Sequence, residues 1–212
     1  MQLFSFKYLR NEEVLNGLTH FIGVIITVSG TPLLFYFDNK HTSLSTISIV
    51  LFSFGLFLVY SSSSAYHFVV NSTLKKKFRI LDHISIYYLI LGSYAPVCFI
   101  TLYEYSGINI FIAVFILSII GTFKKIFFTG RFQIMSLVLY LLMGWLIVVE
   151  IKLLFQLIVP EAQLLLIIGG LSYTLGIIFY ALDKIKYFHS IWHLFVLTGS
   201  VSHYLMILLY II

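Results

Sequence analysis

The sequence predicts an all-α, polytopic membrane protein: a bundle of seven transmembrane helices with its N-terminus cytoplasmic and its C-terminus outside. Three observations carry that expectation. Of the 212 residues, 60% fall in the hydrophobic set and only 10% are charged, with a mean hydropathy of +1.04; a soluble domain of this length needs far more charge on its outside. The apolar residues gather in seven runs that approach the ~20 helical residues needed to cross a bilayer core of ~30 Å. The cations fall in the breaks between runs, with a strong bias to one side.

In chain order the runs cover residues 18–37, 44–66, 84–103, 108–123, 134–149, 164–182 and 191–212. The fourth and fifth are short, which leaves a tilted or merged assignment open there. Most breaks are under a dozen residues, too short for a soluble domain, so residues 1–212 read as a single membrane domain. No cleavable signal peptide is expected, because residues 1–17 carry Glu12, Glu13 and several polar positions in place of a short apolar core. Pro32 and Pro96 are expected to kink the first and third spans. Gly92, Gly121, Gly144, Gly169, Gly170 and Gly176 are expected to let helices approach closely. The 21 Phe and 15 Tyr suit helix ends among lipid headgroups. A lone cysteine, Cys98, excludes an intramolecular disulfide.

With the N-terminus cytoplasmic, the inner segments hold Lys7, Arg10, Lys75, Lys76, Lys77, Arg79, Lys124, Lys125, Arg131, Lys184 and Lys186, and the outer ones only Lys40 and Lys152. Adding or dropping one span would put the Lys75–Arg79 cluster and the Lys184, Lys186 pair on opposite sides, so the count of seven and the orientation support each other. The net charge of +5 reads as a topology signal; no nucleic-acid partner is expected.

Ionisable groups inside a membrane are costly, so their positions are informative. His67 ends the second span, Asp82 and His83 begin the third, and His189 and His193 begin the seventh, all at the inner margin. His189 and His193 are four apart and project from one helix face, about 6 Å apart along the axis, as two ligands of one metal would. Ser63 and His67 share that spacing on a span running the other way, so the two pairs can face each other. Three neutral imidazoles, a nearby carboxylate and an open position match a catalytic zinc site, although imidazoles also suit copper, iron or nickel. Each histidine taken alone is as consistent with an interfacial side chain. His20 is expected to pack or hydrogen-bond across the bundle, His203 lies too far along its helix for the same ion, and His41 is expected in a solvated outer loop.

At these residues the chain resembles the hemolysin III family, the bacterial branch of the progestin and adipoQ receptor membrane proteins. The likeness runs through EEVLNGLTHFIG at 12–23, SSSSAYH at 61–67, LDHISIYYLILGSYAP at 81–96 and HSIWHLFVLTGSVSH at 189–203. It implies a seven-helix fold in the bacterial inner (plasma) membrane, with Zn2+ held by His67, His189 and His193 and with Asp82 and Ser63 beside it in catalytic roles. It also implies two conflicting functions. One is a zinc-dependent hydrolase of lipid amide or ester bonds, as in the related alkaline ceramidases, with membrane lipid as substrate. The other is a non-enzymatic cytolytic or membrane-sensing protein in which the metal is structural; against its pore-forming version, no run alternates polar and apolar residues strongly enough to line a wide aqueous pore.

Overall fold

The computed structural model describes residues 2–129 and 131–212, with side chains from Asn11 onward; the side chains of Lys7 and Arg10, two of the cations counted above, lie outside the described ones. Its helices follow in the order α1 (Gln2–Phe37), α2 (Ser45–Phe68), α3 (Ser72–Pro96), α4 (Gly107–Phe128), α5 (Gln133–Trp145), α6 (Ile151–Leu157), α7 (Pro160–Ala181) and α8 (Phe188–Met206). Among the described residues there is no strand, and seven helical stretches are long and apolar enough to cross a membrane. The fifth combines α5 and α6 through a 3-10 stretch, Leu146–Glu150. The two runs that are short in the sequence become spans of 22 and 25 residues, because polar and aromatic positions at their ends continue the helices.

The third span departs most from the hydropathy pattern. Its helix begins at Ser72, where the Asn71 side chain accepts hydrogen bonds from the N–H groups of Thr73 and Leu74, both at 3.0 Å. That cap satisfies two of the orphan donors of a helix start and lets three cationic, poorly apolar turns precede the membrane run. Asp82 and His83 therefore lie well inside α3 and not at its beginning, so capping does not account for Asp82. Pro96 ends the regular part of α3 and is followed by a π-helical turn, Val97–Thr101, as expected of a residue that cannot donate to the ladder. Pro32 lies inside α1, which stays helical to Phe37.

Helices α1, α2 and α3 pack in sequence, α7 pairs with α8, and α1 closes the group against α8; α4 lies on α3, and α5 makes few contacts with α3, α4 and α7. The α2–α3 crossing is close because Gly55 faces the Tyr88 carbonyl and Gly92 the Leu51 carbonyl, with no room for a Cβ at either. Two other glycines behave differently. Gly144 and Gly170 have nothing within 4 Å of where a Cβ would sit and instead line a cavity, which corrects the expectation of close helix approach at those positions. Lys124 and Lys125 also depart from the sequence reading, since they sit in the last turns of α4 and are buried. Lys124 Nζ donates to the Phe132 carbonyl (3.0 Å) and Ser136 Oγ (3.1 Å), tying α4 to α5.

Candidate metal centre

His67 occupies the last turn of α2, and His189 and His193 occupy the first two turns of α8. Helix α8 starts where it does because Tyr187 adopts a left-handed conformation (φ 67°), and its N–H donates to Glu12 Oε1 of α1 at 2.8 Å. The i, i+4 pair then faces His67: ring centroids lie 4.7 Å apart for His189–His193, 5.2 Å for His67–His189 and 5.1 Å for His67–His193. One ligand atom from each of the three lies within 4.8 Å of the others. Zn–N bonds of about 2.0–2.1 Å imply roughly 3.3 Å between tetrahedral donors, so modest ring rotations would close the three onto one ion.

The remaining ring atoms fit the same use. His67 Nδ1 faces Glu13 Oε2 at 3.3 Å, and that oxygen also accepts Lys75 Nζ at 2.6 Å. His193 Nδ1 lies 3.1 Å from the Asn16 carbonyl and 3.2 Å from Thr19 Oγ1. Carboxylate and carbonyl acceptors place the hydrogen on Nδ1 and leave the Nε2 lone pair free, as partners of metal-bound histidines do. Nε2 of His67 and of His189 are buried without a hydrogen-bond partner, an arrangement that costs free energy unless something binds there.

Helix α1 therefore supplies the orienting groups. Sequence reasoning singled out only His20 on this helix. Glu13, Asn16 and His20, at i, i+3 and i+7, form one polar helix face, and that pattern is the signal from which their role could have been read. The Asn16 side chain also accepts from Ser190 Oγ. His20 stacks on His193 with centroids 3.6 Å apart and meets Tyr60 edge-on, and neither of its buried nitrogens has a hydrogen-bond partner.

Asp82 faces Ser63 and His67 of α2, with Arg79 and the buried Lys125 as its nearby cations. The Ser63 hydroxyl is buried, and its neighbouring acceptor is the Asp82 carboxylate. On the adjacent residue, His83 Nε2 lies 3.5 Å from Tyr180 Oη, and the His83 carbonyl accepts from Tyr140 Oη at 2.9 Å. Asp82, Tyr140, Tyr180, His189 and His193 share a cavity that runs between α3, α5, α7 and α8 as far as Phe155 and His203. Its walls are mostly apolar, so it offers a polar end at the histidines and a long apolar interior, the form of a site for an amphiphile. His41 is exposed at the opposite end of the bundle, and His203 lies ten residues beyond His193, ~15 Å further along α8.

Comparison with known sequences shows the family of the chain. The profile of the family described as haemolysin-III related matches residues 8–204. The chain belongs to that family. Among its relatives, "Hemolysin-3" of Bacillus cereus is 37% identical over 202 residues, covering 95% of this chain and 92% of the relative. The "Hemolysin-3 homolog" of Bacillus subtilis (strain 168) is 36% identical over 200 residues, 94% of each. "Monocyte to macrophage differentiation factor" of Homo sapiens is 28% identical over 204 residues, 91% of this chain and 82% of that protein. No solved structure gives a significant match. As a member of a multi-pass family with bacterial relatives and seven candidate spans, the haemolysin-III related chain is a protein of the bacterial inner membrane.

Proposed function

We propose that this haemolysin-III related chain is a zinc-dependent hydrolase that cleaves an amide or ester bond of a membrane lipid. The observation that carries the reading is the trio His67, His189 and His193, whose ligand atoms lie within 4.8 Å of one another and of which His189 and His193 line the polar end of a largely apolar cavity. In this reading the three histidines hold the ion, with Glu13 and Asn16 fixing two of the rings. Zinc bound there would acidify a water and polarise a carbonyl. Asp82 takes the proton from the attacking water and returns it to the leaving group, and Ser63 donates a hydrogen bond to the developing oxyanion. The cavity takes the acyl chain and keeps bulk water from the reacting carbonyl.

In orientation, we place the N-terminus and the Lys75–Arg79 segment in the cytoplasm, on the cation asymmetry. Single cysteines at Asn39 and Ser72 in a Cys98→Ser background should label from outside and from inside respectively; the reverse pattern overturns the assignment.

A second reading keeps the metal as a clasp joining α2 to α8 in a membrane-perturbing or sensing protein, and it is favoured by the name "Hemolysin-3" given to the Bacillus cereus relative. Incubating purified, zinc-loaded protein with mixed lipid extract separates the two. Zinc-dependent release of fatty acid supports the hydrolase, whereas release that is unchanged by chelation, or absent, leaves the clasp.

A further inference from the structure

The far end of the cavity carries a second set of polar groups that the proposed chemistry does not use. Tyr173 Oη and Ser200 Oγ are 2.8 Å apart, joining α7 to α8. The His203 ring meets Tyr173 edge-on at 5.6 Å and lies over Gly169, where a Cβ would overlap it. His203 Nε2 and Tyr60 Oη are buried and make no well-aligned hydrogen bond; the neighbouring acceptors are the Leu166 backbone for the His203 ring and Ser200 for Tyr60, which also lies beside Tyr173. Tyr173 and His203 both line the cavity. Apolar side chains such as Leu89, Ile177 and Val196 line the stretch between this patch and the histidine trio.

A hydrogen-bonding group buried deep in a membrane bundle is costly when poorly paired, and here two such atoms, His203 Nε2 and Tyr60 Oη, sit beside the Tyr173–Ser200 hydroxyl pair. A hydroxyl both donates and accepts, which is what a free imidazole nitrogen and two or three hydroxyls together can satisfy. A saturated chain passing the same point would leave His203 Nε2 without a well-aligned partner. Helix rise puts the patch ~15 Å from His193, a reach on the order of a dozen chain carbons.

We propose that Tyr173, Ser200 and His203 form a distal recognition site for a hydroxyl group carried in the middle of the acyl chain that fills the cavity. This deepens the lipid reading above and rests on its assignment of the cavity, though not on hydrolysis. The site sorts acyl chains by where they are oxidised: a mid-chain hydroxyl is bound, and one next to the carboxyl end is not.

Displacement of a fluorescent fatty acid from the purified, zinc-loaded protein tests this, with stearate, 3-hydroxystearate and 12-hydroxystearate as competitors and zinc content measured in parallel. Wild-type protein should bind 12-hydroxystearate roughly tenfold more tightly than the other two, the scale set by one hydrogen bond to an otherwise unpaired buried group. In His203→Phe the three should become equal while zinc content stays at the wild-type level; Tyr173→Phe should narrow the gap and serves if His203→Phe does not fold. Equal affinities in the wild type, as a patch satisfied by water alone would give, overturn the proposal, as does a preference that survives both variants. Failure of all three to bind overturns the lipid cavity together with this site. A preference that persists in zinc-free His193→Ala protein supports the distal site even if no hydrolysis is found.

Discussion

The two ends of the bundle treat their polar residues in opposite ways. At the end bearing the α1–α2 connection, most polar groups satisfy one another, the buried Ser106 hydroxyl being an exception. Asp38 accepts from Ser45 Oγ (2.5 Å), Thr46 Oγ1 (2.9 Å) and the Lys40 N–H (3.0 Å), Thr42 Oγ1 donates to the Phe99 carbonyl (2.6 Å), and Asn39 Nδ2 donates to the Ile212 carbonyl (3.1 Å). At the other end, in a more buried setting, nitrogens of His20, His67, His83 and His189 have no partner. Buried polar groups are normally paired, so a concentration of exceptions marks a place kept ready for something else. On the proposed reading the first end holds helices together and the second is the place for a ligand. Substitutions at the second end should therefore change what is bound and done, and those at the first should change stability alone.

The largest effect is expected at the ligands. His67→Ala, His189→Ala and His193→Ala should each reduce zinc from one per chain to a small fraction of that, while His41→Ala retains it; elemental analysis of the purified variants decides. Full zinc in all three alanine variants would break the comparison, because the unpaired nitrogens would then be a packing defect.

Next comes Asp82. The Asn71 cap at the true start of α3 removes the helix-capping explanation for this carboxylate, leaving its place beside Ser63, His67 and the cavity. Asp82→Asn should stay folded and zinc-loaded but lose at least ~100-fold in turnover of whatever lipid the release screen identifies, the ordinary scale of general acid-base assistance. Near-normal turnover with zinc intact would leave the hydrolase mechanism without its base.

Glu13 should have a smaller effect. It touches His67 and not the ion, so Glu13→Gln should weaken zinc affinity by roughly 10-fold, the lower end of the range for partners behind a ligand, and leave the stoichiometry at saturating zinc unchanged. Competition with a chelator of known affinity measures it. An unchanged affinity would mean that Lys75, not His67, is the group Glu13 serves.

How much of this was legible in the sequence follows from what each residue contrasts with. The spans stood out because apolar runs differ from their breaks, and the His189, His193 pair because imidazoles are rare against Leu and Ile. Helix α3 was cut short in the reading because its first turns are cationic, and hydropathy sees lipid contact, not helix. Glu13 and Asn16 precede the first apolar run, where any polar residue reads as interfacial; only their i, i+3 relation to each other and the i, i+4 relation of Asn16 to His20 separate them. The cavity left no sequence signal. Leu and Ile facing an empty channel look the same as Leu and Ile facing lipid, and Gly144 and Gly170 look like helix-contact glycines until the absence of a neighbour is seen.

The smallest effect, and the one that completes the contrast, is expected at Asp38. Burial on its own would raise the affinity of this carboxyl for its proton, but the hydrogen bonds from Ser45, Lys40 and Thr46 outweigh it and hold Asp38 below the usual carboxylate range. A folded-state value below the unfolded ~3.9 means that the ionised group stabilises the fold above that pH, and that the contribution is lost as pH falls through the folded value. Hydrogen bonds to a charged group are worth more than neutral ones, though partial exposure discounts them. Asp38→Ala should therefore cost about 1–2 kcal/mol near neutral pH, a fall of a few degrees in Tm, with zinc content and turnover untouched. The difference between Asp38→Ala and the wild type should shrink as the pH drops below ~4. Loss of zinc in this variant would mean that the connection between α1 and α2 communicates with the histidines through the length of the bundle, and the separation of the two ends would fail.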